Sequence, residues 1–468
     1  MEFPGLHRVV EPKLTFDALS NNALHIHPLQ GLIDYGPYSH KLNPINSIRV
    51  AVICPQNSYH IIQNLFSEFS KSHNPQERAA YLPIYNGFEG IFKTRLQLLD
   101  ESQSIQIDSN KISGSQNKPY ITLSQELANA VRTISLRKQD FDVLLVYLPE
   151  NWSSAFEDSE TGFDLHDFLK ATTAVNNIPT QIIREGSAIK YKCRCSVMWR
   201  LSIAFYVKAG GVPWKLSSIS EDTAFIGLSY STRFNEQTNQ FDFTTCCSQV
   251  FDSDGTGLEF LAYDTGEIEF RVGDNPFLSR SEMRKAMSKS LNLYQKRHSG
   301  RLPKKLIVHK TTQFTPSEID GAFDAINGNV KLELLQIIQD TNWRGIKFVK
   351  GADNKVVSDR YPIERGSYIQ SGSQEILLWT QGIVQINNKP FFKEGKGIPA
   401  PLIIKRFAGD GGWDQNCQAI IGLTKMNWNH DALYDRLPVT LGYAKVLAST
   451  IKRMHTMVNK PYEFRYFM

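Results

Sequence analysis

Between Thr161 and Ser220 stand Lys170, Arg184, Lys190, Lys192, Arg194, Arg200, Lys208 and Lys215, against only Asp164, Asp167 and Glu185. The net charge of that window equals the formal net charge of the whole chain, +5 over 468 residues. Ammonium and guanidinium groups gathered this way suit an anionic partner, phosphate foremost, because each brings several N–H donors with its charge. A solvated basic face would give the same count. Within the window, Asp164 has the residue type of a helix N-cap and Asp167 is an acid three residues on, so a helix starts at Leu165. His166 and Lys170 are then i and i+4, on one face and one turn apart. Lys208 stands in the last turn before Gly210-Gly211, a pair that is also an ordinary helix ending.

Other chemistry-bearing pairs lead nowhere. Cys193-x-Cys195 and Cys246-Cys247 have the wrong spacing for zinc, and His25-x-His27 reads as a turn or packing pair. The six cysteines (Cys54 and Cys417 are the others) form no disulfide framework in so long a chain, so they read as free thiols in a reducing cytoplasm. MEFPGLHRVVEPKL has charges and a proline where a signal peptide needs an apolar run, and no stretch approaches the ~18 apolar residues of a membrane span. Apolar residues at 41% and charged residues at 21% are those of a globular protein long enough for two domains.

The elements that must hold these residues alternate. IRVAVICP (Ile48 to Pro55), VLLVYLP (Val143 to Pro149) and IPTQII (Ile178 to Ile183) are short apolar strands. SYHIIQNLFSEFSK places Ile61, Ile62, Leu65, Phe66 and Phe69 on one helical face, and LSQELANAVRTI does the same with Leu123, Leu127, Val131 and Ile134. This predicts a parallel, Rossmann-like sheet, whose ligands bind at the carboxyl ends of its strands. The polar stretch Glu101 to Lys118 reads as a surface loop or hairpin. After Gly210-Gly211-Val212-Pro213 strand runs follow one another (TAFIGLSYS, FDFTTCCSQVF, LEFLAYD), then a basic helix, KKLIVHK, a helix from about Pro316, VKLELLQIIQ and a C-terminal helix. The second half is therefore a mixed sheet crossed by helices, with a boundary near residue 212. Residues 1 to 45 have no clear period and read as an extended arm.

AFYVKAGGVPWKL (Ala204 to Leu216) resembles the end of the MID domain of Argonaute proteins, where a Lys precedes a small residue and Gly-Gly. FDLHDFLKA and PTQII supply the other parts of that domain's pocket in order. The landmarks of a PIWI domain follow: FIGLSYS, KLIVHKTT, RGSYIQ with EILLWTQG, and LPVTLGYAKVLA. The similarity runs from about Ile48 to Met468, and GLIDYGPY (Gly31 to Tyr38) resembles the arm of the short prokaryotic Argonautes, which consist of MID and PIWI only. The implied architecture is an arm at 1–45 packing on PIWI, a Rossmann-like MID domain at 46–212 and an RNase H-like PIWI domain at 213–468.

In that family the 5′ end of a guide strand lies in the MID domain. The resemblance implies that His166 stacks on the first base and that Lys170, Gln181 and Lys208 hold the 5′-phosphate. It implies that Lys190, Lys192, Arg194 and Arg200 contact the guide backbone or face solvent. It also implies an Mg2+ ion bridging the phosphate to Gln181 and to the C-terminal carboxylate, here that of Met468, which the apolar ending YEFRYFM would bury. Slicing members carry metal-binding carboxylates on the PIWI sheet. At the matching positions stand Ser229, Thr311 and Lys445. Hydroxyls are poor ligands for a hard divalent ion, an ammonium repels it, and Asp222 is seven residues before Ser229, too far to substitute. The expectation is no catalysis in this chain.

The implied function is guide-dependent recognition in a prokaryotic defence system. A small 5′-phosphorylated guide, RNA by preference, pairs with complementary single-stranded DNA of an invader. A heterodimeric partner with an APAZ region and an effector domain, a TIR or sirtuin-type NAD hydrolase before a DNase, then causes abortive infection. Two other readings compete: a metal-dependent RNase H-type nuclease with a non-standard site, and a Rossmann-type small-molecule enzyme. Against the second, PQNSYH follows Ile48–Pro55 where a glycine-rich phosphate loop belongs.

Overall fold

The near-continuous apolar runs Ser47–Pro55 and Val143–Leu148 pair in parallel, as strands covered on both faces do. The computed structural model describes residues 5–113, 118–217, 222–235, 240–250, 259–273, 275–326, 330–351, 353–386, 389–392, 397–453 and 462–468. Those two strands centre a five-stranded parallel sheet, with Thr180–Arg184 beside Val143–Leu148 and with Arg95–Leu98 and Ile105–Ile107 beside successive parts of Ser47–Pro55. Alternate residues enter different cores. Ala51, Ile53, Leu144 and Val146 meet Leu123, Leu127 and Val131 of the Pro119–Ser135 helix. Val50, Val52, Val143 and Leu145 meet Ile62 and Leu65 of the Tyr59–Glu68 helix.

The stretch from Glu101 to Lys118 is not simply a loop. Ile105–Ile107 is a strand of the sheet and Ser109–Ser113 a short helix. Its two isoleucines flank a glutamine, a pattern too short to stand out in a polar stretch, and pairing beside Ser47–Pro55 decides it by burying Ile107. Arg95–Leu98 is a further strand that the sequence pattern did not show.

The second half is built on a ten-stranded mixed sheet among the described residues. Its centre is three parallel strands, Thr223–Asn235, Lys305–Lys310 and Lys331–Ile338, the last two connected by the Pro316–Asp324 helix. Gln240–Val250 and Glu259–Thr265 extend it antiparallel on one side, and Leu402–Ala408, Glu375–Leu378 and Ser367–Gly372 on the other. Period-two alternation sends Ala224, Ile226 and Leu228 to Met283 and Met287 of the Arg280–Arg297 helix, while Phe225 enters the opposite core. The C-terminal helix is Val439–Ile451. The side chains of Cys246 and Cys247 and residues 454–461, into which the sequence pattern extends that helix, lie outside the described residues. No described helix is long and apolar enough to cross a membrane.

The arm is more structured than its sequence suggests and touches both halves. Leu6–Arg8 adds an edge strand against Ser367–Gly372. Glu11 receives Arg365 Nε and Lys425 Nζ, each at 2.9 Å, and the two cations are wholly buried. Pro28–Tyr35 is a helix whose N-cap is His27: the Nδ1 of this ring accepts from the backbone of Leu29 and Gln30, and its Nε2 lies 2.7 Å from the Tyr81 carbonyl of the first half. Burial pushes the His27 imidazole down to about 3, so it stays neutral, with Nε2 the donor. His25 lies beside it at the end of the short Leu24–His25 strand, its Nδ1 accepting from His27 N at 2.8 Å.

Candidate functional site

Two helices converge on the Thr180–Arg184 strand at the edge of the parallel sheet. Asp164 Oδ1 accepts from Asp167 N at 2.9 Å and starts the Leu165–Val175 helix, a cap worth about 1 kcal/mol. Leu165, Leu169 and Ala174 turn that helix toward the core, and Lys170 goes inward with them. Its Nζ donates to the Thr180 carbonyl at 2.5 Å and to the main-chain oxygen of Met468. Lys208 ends the almost wholly buried Arg194–Lys208 helix and donates to Gln181 Oε1 at 2.8 Å.

The two lysines are 2% and 1% exposed. Among the described residues, no acidic side chain pairs with either. Burial lowers the Lys170 ammonium to about 7, and it lowers Lys208 well below the ordinary lysine range, with the charge of Lys170 adding to the effect. Two adjacent buried lysines with no acidic side chain beside them are costly to charge unless an anion joins them. Gln181, half-buried, walls a pocket of ≈ 140 Å³ shared with Ser187, Arg200 and Asn429. His166 stands exposed one turn before Lys170, its Nδ1 3.6 Å from Asp167 Oδ1.

The other basic residues of the window divide. Lys190 bridges Glu150 (2.7 Å) and Glu185 (3.0 Å), and Arg194 forks onto Glu68 at 2.6 and 2.9 Å while donating to the Ala188 carbonyl. Arg194, only 22% exposed, braces the domain and does not face solvent, whereas Lys190 makes its ion pairs at the surface and stays exposed. Glu68 and Glu150 lie outside the basic window, so counting charge within it could not reveal the pairing. Lys192 is exposed, and Arg200 lies over the Tyr191 ring at 5.4 Å, beside the pocket.

On the large sheet, Leu228 pairs with Lys310 in parallel, so Ser229, midway along Thr223–Asn235, lies beside Thr311, which follows directly on the end of Lys305–Lys310. They share the face of Gly227 and His309, which the Val439–Ile451 helix covers closely. A Cβ at Gly227 would fall 2.1 Å from the Thr440 carbonyl oxygen, and His309 Nδ1 lies 2.9 Å from Thr440 Oγ1. Burial holds His309 neutral, at about 3. Lys445, farther along that helix, is exposed. On the opposite face Lys310 and Glu318 form an ion pair at 2.5 Å, each side chain 1% exposed, and Glu318 also accepts from the backbone of Leu278 and Thr315.

No family model matches the sequence, and no curated protein matches it. Solved structures do. One is Clostridium butyricum Argonaute bound to a guide DNA and a 19-mer target DNA, with a TM-score of 0.66 and 16% identity over 96% of this chain and 53% of that one. Aquifex aeolicus Argonaute with externally bound siRNA gives 0.63 and 17% over 99% and 56%, and Drosophila Piwi gives 0.61 and 12% over 98% and 56%. The fold is of the Argonaute type. The chain spans about half the length of the structures it matches.

Within this Argonaute-type fold, the parallel sheet and the large mixed sheet are in the order of MID and PIWI domains. The structure adds residues that the sequence did not single out. Thr180 offers Lys170 its carbonyl, and Asn429 from the second half reaches the pocket beside Gln181. Neither has a sequence signal: the first acts through its main chain, and the second lies 248 positions after Gln181. Among the described residues, the His, Cys, Asp or Glu group with mutual spacing for a metal ion is Asp164, His166 and Asp167, on the helix start and not beside Ser229 and Thr311.

Proposed function

We propose that this chain is a guide-binding recognition subunit that holds the 5′-phosphate of a small RNA on Lys170, Lys208 and Gln181. The observation that carries the reading is the pair of buried lysines with no acidic side chain paired to either among the described residues. A phosphate dianion supplies the missing charge and accepts from both ammonium groups, while the Gln181 amide orients it. His166, exposed one turn away, offers a flat ring to the first base. The phosphate at this site sets where pairing with a complementary DNA target begins, and the likeness to an Argonaute solved with guide and target strands supports this reading.

A divalent cation fits only as part of this arrangement. Gln181 Oε1 and the Met468 main-chain oxygen are suitable hard donors, but two ammonium groups beside them oppose a cation until the phosphate brings its charge. Mg2+ would then supply charge neutralisation between the phosphate, Gln181 and a terminal carboxylate at Met468.

The same reading makes the chain non-slicing, since Ser229, Thr311 and Lys445 supply no carboxylate and Glu318 is committed to Lys310. Recognition then acts through a partner, an APAZ-containing effector of the TIR or sirtuin NAD-hydrolase kind or a DNase, in a cytoplasmic defence that ends in abortive infection.

The test is binding of one short RNA carrying a 5′-phosphate or a 5′-hydroxyl. A strong preference for the phosphate, lost in Lys170→Ala and Lys208→Ala, supports the reading. Equal weak binding of both ends would leave only the fold.

A further inference from the structure

The strands Ile346–Lys350 and Val356–Pro362 form an antiparallel ribbon that pairs with no other strand among the described residues. An isolated ribbon of this kind is marginal by itself. Here it is tied down at its base, where Lys347 meets Glu364 at 2.7 Å and a Cβ at Gly345 would lie 3.0 Å from the Trp379 ring. Beyond that base the ribbon is apolar and uncovered. Trp343, Ile346, Phe348 and Val356 are 61, 54, 63 and 68% exposed, and Val349 and Val357 are 37 and 45% exposed.

The register makes this unusual. Phe348 opposite Ser358 and Lys350 opposite Val356 are on one face, and Val349 opposite Val357 on the other, so both faces carry apolar groups. A ribbon folded back on its own domain would leave one face polar. Between residues 341 and 362 the sequence also has five basic residues against two acidic ones. Lys350 is exposed, and so is Lys355. Contiguous apolar surface rimmed by charge marks a protein contact.

We propose that this ribbon is the docking element for a second protein that clasps it in an apolar groove rimmed by carboxylates. The partner is a protein and not nucleic acid because the exposed groups are mainly aliphatic and β-branched. Lys347 and Lys355 are already paired with acids of the ribbon's own region, so the charge that meets the partner's carboxylates is that of the exposed Arg344 and Lys350. Identifying that partner as the effector subunit rests on the function proposed above.

The full chain is co-expressed with the product of the gene adjacent to its own, and complex affinity and guide binding are measured on the same preparations. Phe348→Glu with Val357→Glu places acids against the partner's acids at exposed positions. It should weaken the complex about 30-fold with unchanged melting temperature and unchanged preference for 5′-phosphorylated RNA. A photocrosslinker replacing Phe348 should capture the partner protein, and one replacing Leu136, exposed in the first half, should not. An unaffected complex, no complex with the parent chain, or a crosslink to nucleic acid with weakened guide–target binding would overturn the proposal. Absence of phosphate preference in the parent chain would overturn the guide reading instead, whatever the ribbon does.

Discussion

Lys170 and Lys208 come from different helices and reach consecutive residues of one strand, the Thr180 carbonyl and the Gln181 side chain. Lys208 is satisfied by the Gln181 amide oxygen and Lys170 by the Thr180 carbonyl and the main-chain oxygen of Met468, and no acidic side chain among the described residues pairs with either. That is a ground state arranged for an anion.

Removing either ammonium should therefore cost binding of a 5′-phosphorylated RNA about 2–3 kcal/mol, roughly 30- to 150-fold. Gln181→Ala should cost less, about tenfold, since a neutral amide gives one weaker contact. Titration of labelled RNA at fixed salt reads both. A loss equal for phosphate and hydroxyl ends would place the lysines in the fold rather than in recognition.

The same burial sets a stability trend in the ligand-free protein. Lys170 has a folded value of about 7, below the ordinary lysine value of 10.5, so between these pH values the unfolded chain binds the extra proton and stability rises with pH. The slope from this group is at most about 1.4 kcal/mol per pH unit. Lys170→Met should raise the ligand-free melting temperature at pH 7 and flatten that rise, while abolishing stabilisation by phosphorylated RNA. Melting curves from pH 7 to 9 decide, and a destabilised Lys170→Met protein would count against an uncompensated charge.

Glu11 does the opposite work. Burial pushes its carboxyl up, but Arg365 and Lys425 outweigh this and hold it below its ordinary value. Its contribution is present above the unfolded value of 4.5 and is lost as pH falls through the lower folded value. Glu11→Gln leaves two wholly buried cations unmatched, and urea unfolding at pH 7 should show a loss of about 3–5 kcal/mol. A change under 1 kcal/mol would mean that the arm is not held by this contact.

Incubation of the guide-loaded protein with a matched DNA or RNA target and Mg2+ or Mn2+ should leave the target intact. Where the parallel pairing of the central strands ends, the sheet presents hydroxyls at Ser229 and Thr311, and Glu318 is spent on Lys310. A discrete product at one position would establish a nuclease with a non-standard site.

Much of this molecule is local in its sequence. Apolar runs such as Ser47–Pro55 and Val143–Leu148 can only be buried strands, and Asp164 with Asp167 marks a helix start, because these patterns depend on neighbours within one turn or one strand. The i, i+4 spacing of His166 and Lys170 and the Gly-Gly after Lys208 were legible for the same reason. What the surroundings do to those side chains was not. That Lys170 reaches the main-chain oxygen of Met468, 298 positions away, follows from how the last residues pack. That Lys190 and Arg194 are paired with acidic side chains while Lys170 and Lys208 are not depends on where Glu68, Glu150 and Glu185 fall in space. Residue type and spacing determined which groups could bind phosphate. Burial and the placement of acids, which belong to no single segment, decided which of them have no acidic side chain beside them.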